Sequence, residues 1–355
     1  MTIDSNTCRA VIYGLACGDA LGKDTEFMSV RTIKQRYGAT GIRELSETSG
    51  QFTDDTQMAV AVAEGLLDAQ RWVGIERADA KVLGHPVCTA DLNDPYFVMP
   101  HVAKRFVAWA FGPKNNRAPG NTCMGGCRNL RSGISWNKSG ITRSKGCGGM
   151  MRAAPVGLVY DDIDTIARIA GAQSEITHGH KASTQAAQLT ALVVRRLAVG
   201  EDPNNLFLAL SSETLLDEEL LGEIDPKLRD LLVRTVFAVT ATYKGEIAPE
   251  EIMVSYESHL LALGESWHGD EAFASALYCF LLANARGEGY VEAVRYGANT
   301  CGDSDSIAAV AGAFAGACWG LDGEKGVPQT WIDQVEDTVE LGELADRLAG
   351  LGVTA

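Results

Sequence analysis

Gly302-Asp303-Ser304-Asp305-Ser306-Ile307-Ala308-Ala309-Val310-Ala311-Gly312-Ala313-Phe314-Ala315-Gly316-Ala317-Cys318-Trp319-Gly320 is the stretch from which the rest of the chain can be read. It starts with carboxylates and hydroxyls and continues as an apolar run. Small residues recur at every fourth position, at Ala308, Gly312, Gly316 and Gly320. Glycine inside a helix costs about 1 kcal/mol against alanine. Repeating it along one face therefore predicts close backbone approach to a neighbour, although a generic Ala/Gly-rich buried helix would read similarly. A second run, Ala10, Gly14, Gly18 and Gly22, has the same spacing near the N-terminus. The membrane reading of such spacing fails because Asp19, Lys23, Asp303 and Asp305 flank the runs. The longest uncharged apolar run, 307–321, is also shorter than the ~20 residues needed to span a bilayer.

Outward from these runs, apolar residues recur at helical spacing over 10–21, 56–69, 163–172, 182–198, 228–242, 271–285, 290–299, 306–319 and 332–351. Alternating strand-like segments are scarce. The expectation is an all-α protein, a compact orthogonal helical bundle in one domain over residues 1–355. Residues 111–150, dense in Gly, Asn, Ser, Lys and Arg, are expected to be the main non-helical stretch. Residues 71–100, with Pro86, Pro95 and Pro100, are expected to be irregular as well.

Composition narrows the function classes. Hydrophobic residues make up 46% and charged residues 22%, an ordinary globular balance. A net charge of −15 argues against nucleic acid as a partner, which needs clustered Lys and Arg. An anionic substrate would need a local positive centre, and a bound metal would supply one. The nine cysteines are scattered, and Cys17 and Cys318 fall in predicted buried helices, so a reducing, cytoplasmic setting is the simpler reading. Residues 1–7 show no basic segment leading into an apolar one, so no signal peptide is expected.

Far upstream of Asp303 lies a second acidic cluster, Thr53-Asp54-Asp55-Thr56, again at a predicted helix start. Taken alone, either cluster reads as an N-cap, where Asp and Thr are favoured. Two caps oversupplied with acid read differently, because like charges converge stably only when a cation joins them. Adjacent aspartates on a helix point about 100° apart, so Asp54 and Asp55 would serve two neighbouring ions, or one ion and its water. An all-oxygen donor set suits Mg²⁺ or Mn²⁺ rather than zinc. The N-terminal helix adds Asp19, read as structural, and Glu26, read as a metal-side or water-activating carboxylate. Gly146-Cys147-Gly148-Gly149-Met150 has the composition of a phosphate-cradling loop, although a tight turn accounts for it equally. His178-Gly179-His180 reads as a loop with one ligand-contacting histidine, and His268 as a helix cap.

Taken together, and in this order along nearly the whole chain, these motifs resemble the ADP-ribosylglycohydrolase family: Gly18-Asp19-Ala20-Leu21-Gly22 with Glu26-Phe27, Phe52-Thr53-Asp54-Asp55-Thr56, Pro119-Gly120-Asn121-Thr122, Lys145-Gly146-Cys147-Gly148-Gly149-Met150-Met151-Arg152, Thr177-His178-Gly179-His180 and Gly302-Asp303-Ser304-Asp305-Ser306-Ile307-Ala308. The resemblance implies an all-α fold, a centre of two Mg²⁺ or Mn²⁺ ions, and hydrolysis of the N- or O-glycosidic bond joining ADP-ribose to a protein side chain. Thr53, Asp54, Asp55, Asp303, Asp305 and Ser306 would be the metal ligands. Glu26, Asp55 and Asp303 would carry the chemical step. Asn121, Gly146, Cys147, Gly148, Gly149, Met150 and His178 would bind substrate. Two departures stand out. Lys23-Asp24-Thr25 replaces the small residue and proline common before the glutamate, and serines 304 and 306 stand where threonines are frequent. The expected partner is an ADP-ribosylated protein. A second expectation is an immunity protein that neutralises an ADP-ribosyltransferase toxin by binding it, to which the acidic surface and the 111–144 loop would be suited.

Overall fold

The computed structural model describes residues 2–83, 90–243, 249–321 and 323–351. Among them are eighteen α-helices and no strand, which bears out the all-α expectation. The centre is the pair Ser5–Gly22 and Ser304–Trp319, and the two small-residue ridges face each other. A methyl group on Gly14 would fall 2.4 Å from Gly312 O, and one on Gly18 would fall 2.2 Å from Ala308 O. The same holds for Gly22 against Ser304 O at 2.5 Å and Gly316 against Ala10 O at 2.1 Å. As one residue number rises by four its partner falls by four, so the helices run antiparallel with backbone against backbone. Gly320 is not part of this contact. It caps the helix with φ +72° and donates its N–H to Gly316 O.

Gly269–Ala285 and Tyr290–Ala298 pack around this pair and are buried along most of their length. Lys181–Ala198 closes the core from the other side, with Gly157 set against Ala191 O. Asp54–Leu83 pairs with Pro95–Ala110 through Gly65, whose missing side chain admits Val102.

Three expectations need correction. The irregular span 71–100 is largely helical where described, because Asp54–Leu83 continues through it and a new helix starts at Pro95, in the first-turn position that tolerates proline; Pro86 lies outside the described residues. The 111–150 stretch holds the helix Asn121–Arg131. Gly125 and Gly126 mask it in the sequence, yet Gly126 is what lets the helix lie against the Ile176–Thr177 backbone. The single helix expected over 332–351 is two, Gln329–Ile332 and Thr338–Ala349. Tertiary bonds interrupt it: Glu336 donates its N–H to Gly50 O and its carboxylate holds Arg117, while Asp337 turns the chain at φ +53°.

Candidate functional site

Asp19 is fully buried inside Ser5–Gly22 and organises the first acidic cluster. Its Oδ1 accepts from Thr53 N at 2.9 Å; its Oδ2 accepts from Thr56 N at 2.9 Å and Thr56 Oγ1 at 2.6 Å. It thus takes backbone hydrogen bonds, as its sequence position led us to expect. Thr53 Oγ1 accepts from Asp55 N at 3.2 Å and caps the helix. Asp54 and Asp55 occupy the first turn.

The second cluster meets the first directly. Ser306 Oγ donates to Asp55 Oδ2 at 2.6 Å. Asp303 N donates to Glu265 O at 3.0 Å, which fixes the segment ahead of the helix. Glu26 comes from the turn after Ser5–Gly22, which is pinned by Thr25 Oγ1 donating to Ala298 O at 2.6 Å and by Phe27 N donating to Gly302 O at 3.1 Å. Glu26, Asp303 and Asp305 offer carboxylate oxygens within 4.8 Å of one another. Cys147 Sγ donates to Asp303 Oδ2 at 2.8 Å, so the glycine-rich loop touches the acidic centre through its thiol.

Electrostatically the group is unbalanced. Burial is the first cause in every case; mutual repulsion adds to it at Glu26, Asp54, Asp55 and Asp305, whereas at Asp303 hydrogen bonds pull the other way. Glu26 is pushed up to about 8, with Asp303 the leading charge against it. Asp54 is pushed up to about 7, with Asp19 against it. Asp55 and Asp305 are raised well above the ordinary range and Asp303 is raised too. None of the residues lining the cleft around them is Lys or Arg. A second carboxylate group, His268, Asp270 and Glu271, is different: Lys227 Nζ lies 2.5 Å from Glu271 Oε1 and 3.9 Å from Asp270 Oδ2, so that group already has its cation.

The acids sit at the base of a cleft with about 360 Å³ of room, within the range of small-molecule sites. Pro119, Gly120, Asn121 and Thr122 form one wall; Gly146, Cys147, Gly148 and His178 form another. Two isolated β-bridges stitch the glycine loop in place, Ile141 to His178 and Gly146 to His268. Phe27 and Trp267 stack at the rim with ring centroids 5.0 Å apart, and Phe27 is 75% exposed at φ +63°. This pair was not read from the sequence, since a lone Phe and a lone Trp carry no spacing signal.

The comparisons with known proteins fall on this architecture. The profile described as ADP-ribosylglycohydrolase matches residues 2–354. The chain belongs to the ADP-ribosylglycohydrolase family. It is 30% identical to the human ADP-ribosylhydrolase ARH3 over 58% of each chain. It is 25% identical to the ADP-ribosyl-[dinitrogen reductase] glycohydrolase of Rhodospirillum rubrum, over 92% of this chain and 89% of that one. A solved structure titled an ADP-ribosylglycohydrolase-related protein complex matches with a TM-score of 0.66 at 23% identity, covering 98% and 99% of the two chains, which speaks for the fold.

In this member of the family the donor set fits divalent cations. Asp305 Oδ1 is buried without a hydrogen-bond partner, in a cleft lined by five carboxylates and, among the described residues, by no Lys or Arg. Asp54, Asp55, Asp303, Asp305 and Ser306 all line the cleft, and Thr53 stands just behind them. Among the residues expected to bind substrate, Asn121, Gly146, Cys147, Gly148 and His178 line the cleft, whereas Gly149 and Met150 do not. Met150 is fully buried, and a methyl group on Gly149 would strike Ser174 Oγ at 2.0 Å. Gly149 sets the loop against the helix Ile163–Glu175, and Met150 joins the hydrophobic core. The glycines also do something the sequence reading did not foresee. A methyl group on Gly146 would come 2.9 Å from His178 Nε2, and one on Gly148 would come 2.6 Å from its Cε1. They leave room for an imidazole. His180 is separate from this: it caps Lys181–Ala198, with Nδ1 accepting from Ala182 N at 3.1 Å. His268 holds the N-cap position of Gly269–Ala285, as expected. Among the described residues no helix is long and apolar enough to cross a membrane.

Proposed function

We propose that this protein, acting as a single domain, hydrolyses the glycosidic bond between ADP-ribose and a modified protein side chain. The observation that carries this is the meeting of the two acidic clusters, joined by Ser306 to Asp55 and left without a basic partner at the base of a cleft. Thr53, Asp54, Asp55, Asp303, Asp305 and Ser306 would hold two Mg²⁺ or Mn²⁺ ions. When bound, such ions supply charge for the ribose hydroxyls and lower the pKa of water at the site.

The protein's own residues do the rest. Water adds to the anomeric carbon of the ribose, and the glycosidic bond breaks with its electrons passing to the departing side-chain atom. Glu26 stands beside Asp303 and Asp305, and cations bound there would favour its ionised form, the form that can accept a proton from water. Its carboxylate takes the proton from the water and returns it to the leaving atom. Asp55 and Asp303 hold the reacting end in register, and their negative charge favours the positive character that develops on the sugar. Asn121, Gly146, Cys147, Gly148 and His178 hold the ADP-ribose, whose diphosphate meets neutral donors in a cleft without basic side chains.

The test is release of ADP-ribose from arginine- and serine-modified proteins, which also reports the linkage. Release should stop with EDTA and return with Mg²⁺ or Mn²⁺. Asp303→Ala should lose activity by at least about 100-fold while keeping the wild-type circular dichroism spectrum, because the carboxylate serves the site rather than the core. Wild-type turnover by this variant at saturating Mg²⁺ would refute the assignment.

A further inference from the structure

Arg152 lies beneath the cleft rather than in it, fully buried. Its Nε donates to Gln173 Oε1 at 2.7 Å; its Nη2 donates to Gln173 O and to Thr177 Oγ1, each at 2.8 Å. Its guanidinium also stacks over the Phe106 ring, 4.4 Å from the centroid. Thr177 is buried as well, and the other partner of its hydroxyl is His178 Nδ1 at 2.8 Å. The directions of these bonds follow from chemistry. A guanidinium only donates, so Thr177 Oγ1 is an acceptor towards Arg152. The hydroxyl proton then needs an acceptor of its own, and His178 Nδ1 is the one within reach. If Nδ1 carried a proton instead, the hydroxyl proton would be left buried and unbonded.

We infer that Arg152, acting through Thr177, fixes His178 as the Nε2–H tautomer, and that His178 thereby presents a neutral donor to an anionic oxygen of the ligand held on the cleft floor. Arg152 and Thr177 are positioning residues in this scheme. Gly146 and Gly148 pack closely against the Nε2 side of the ring, where a side chain on either would clash with it, and His178 lines the cleft. Burial, with the Arg152 charge behind it, holds the imidazole down at about 3, so the ring stays neutral wherever the enzyme works. The arrangement answers the problem posed by the five carboxylates that line the same cleft. An anionic ligand group must be met by donors, and a neutral, fixed N–H provides one without forming an ion pair with the acids. The ligand half of this inference rests on the proposed function, whereas the tautomer half does not.

The experiment is nuclear magnetic resonance of the full chain carrying isotopically labelled histidine, with the six histidines distinguished by a His178→Gln control. In the wild-type protein without ligand, His178 should show a protonated Nε2 and an unprotonated Nδ1 between pH 5 and 8. Thr177→Val should populate the Nδ1–H form. Thr177→Ser, which restores the hydroxyl, should return the wild-type pattern. Free ADP-ribose should bind Thr177→Val about tenfold more weakly and Thr177→Ser within about twofold of wild type. The wild-type spectrum decides the inference even if Thr177→Val fails to fold. A protonated Nδ1, or a ring that titrates between pH 5 and 8, would overturn it. If the tautomer is as stated but ADP-ribose does not bind the wild-type protein, the proposed function fails and the Arg152–Thr177–His178 relay stands.

Discussion

Asp19 sets the position of a cluster to which it does not itself belong. Its carboxylate is the shared acceptor for Thr53 N, Thr56 N and Thr56 Oγ1, so the N-terminus of Asp54–Leu83 hangs from the interior of Ser5–Gly22. Burial raises its pKa to about 6 while these bonds pull the other way, which shows how much the carboxylate needs all three. Asp19→Ala should leave two backbone N–H groups and a hydroxyl buried without an acceptor. A loss of about 3 kcal/mol in chemical denaturation is expected, together with weaker Mg²⁺ binding, because Asp54 and Asp55 ride on the released turn. Undiminished Mg²⁺ affinity in a destabilised variant would separate the two roles and refute the coupling. Asp19, Glu26 and both acidic clusters were legible from residue type and order alone. Arg152 was not, because an arginine beside a glycine loop reads as a ligand contact, and only the tertiary structure shows it pointing away beneath Gln173 and Thr177. That Gly149 and Met150 do not line the cleft was hidden for the same reason: five residues in a row share a motif, but a turn sends them to different sides.

At the scale of elements, the ridge Ala10, Gly14, Gly18, Gly22 and its partner Ser304, Ala308, Gly312, Gly316 explain how residues from both ends of the chain reach one site. Ser5–Gly22 leads into Glu26, and Ser304–Trp319 starts at Asp303 and Asp305. One close contact therefore sets the spacing of both. Gly316 has Ala10 O only 2.1 Å from where a methyl group would sit, so neither a rotamer change nor a side-chain shift can relieve a larger residue there. Gly316→Leu should cost at least about 3 kcal/mol, the upper end for overpacking. It should weaken Mg²⁺ binding too, read by thermal melts and metal titration of the same variant. An unchanged melting point would mean that the helices can separate freely. The long core helices were legible because their apolar spacing is dense and their packing partners do not override it. The break at 333–337 was not, because it comes from Glu336 reaching Arg117 and Gly50, contacts between segments that no local window contains. The helix Asn121–Arg131 was hidden by Gly125 and Gly126, the second of which permits the close approach to Ile176 and Thr177.

The whole molecule carries a net charge of −15, and part of that charge is concentrated where water is least available. Without a divalent cation, Glu26 holds its proton up to about 8 and Asp54 up to about 7, against ordinary values of 4.5 and 3.8; Asp55 and Asp305 are raised well above 3.8. The folded protein therefore binds more protons than the unfolded chain at neutral pH. Stability from these groups is fully present below about 4 and is lost as pH rises through 7 and 8. His178 works in the opposite sense, since its lowered pKa of about 3 costs stability as pH falls below 6.5. The window from pH 6.5 to 8.5 is therefore governed by the acids. In EDTA the melting temperature should fall across that window. With millimolar Mg²⁺ it should hold level or rise, because the bound ion favours ionised ligands and stabilises by about 2.7 kcal/mol at a hundredfold excess over its dissociation constant. General charge repulsion offers a competing account of any Mg²⁺ effect. Sodium chloride at matched ionic strength separates the two, since it screens the surface charge without entering the cleft. Asp305→Asn makes the same point from the protein's side: it removes one buried carboxylate, so its melting temperature in EDTA should fall less steeply with pH and its response to Mg²⁺ should be smaller. Parallel slopes with and without Mg²⁺, or an equal effect of sodium chloride, would mean that the acidic centre does not gather a divalent cation.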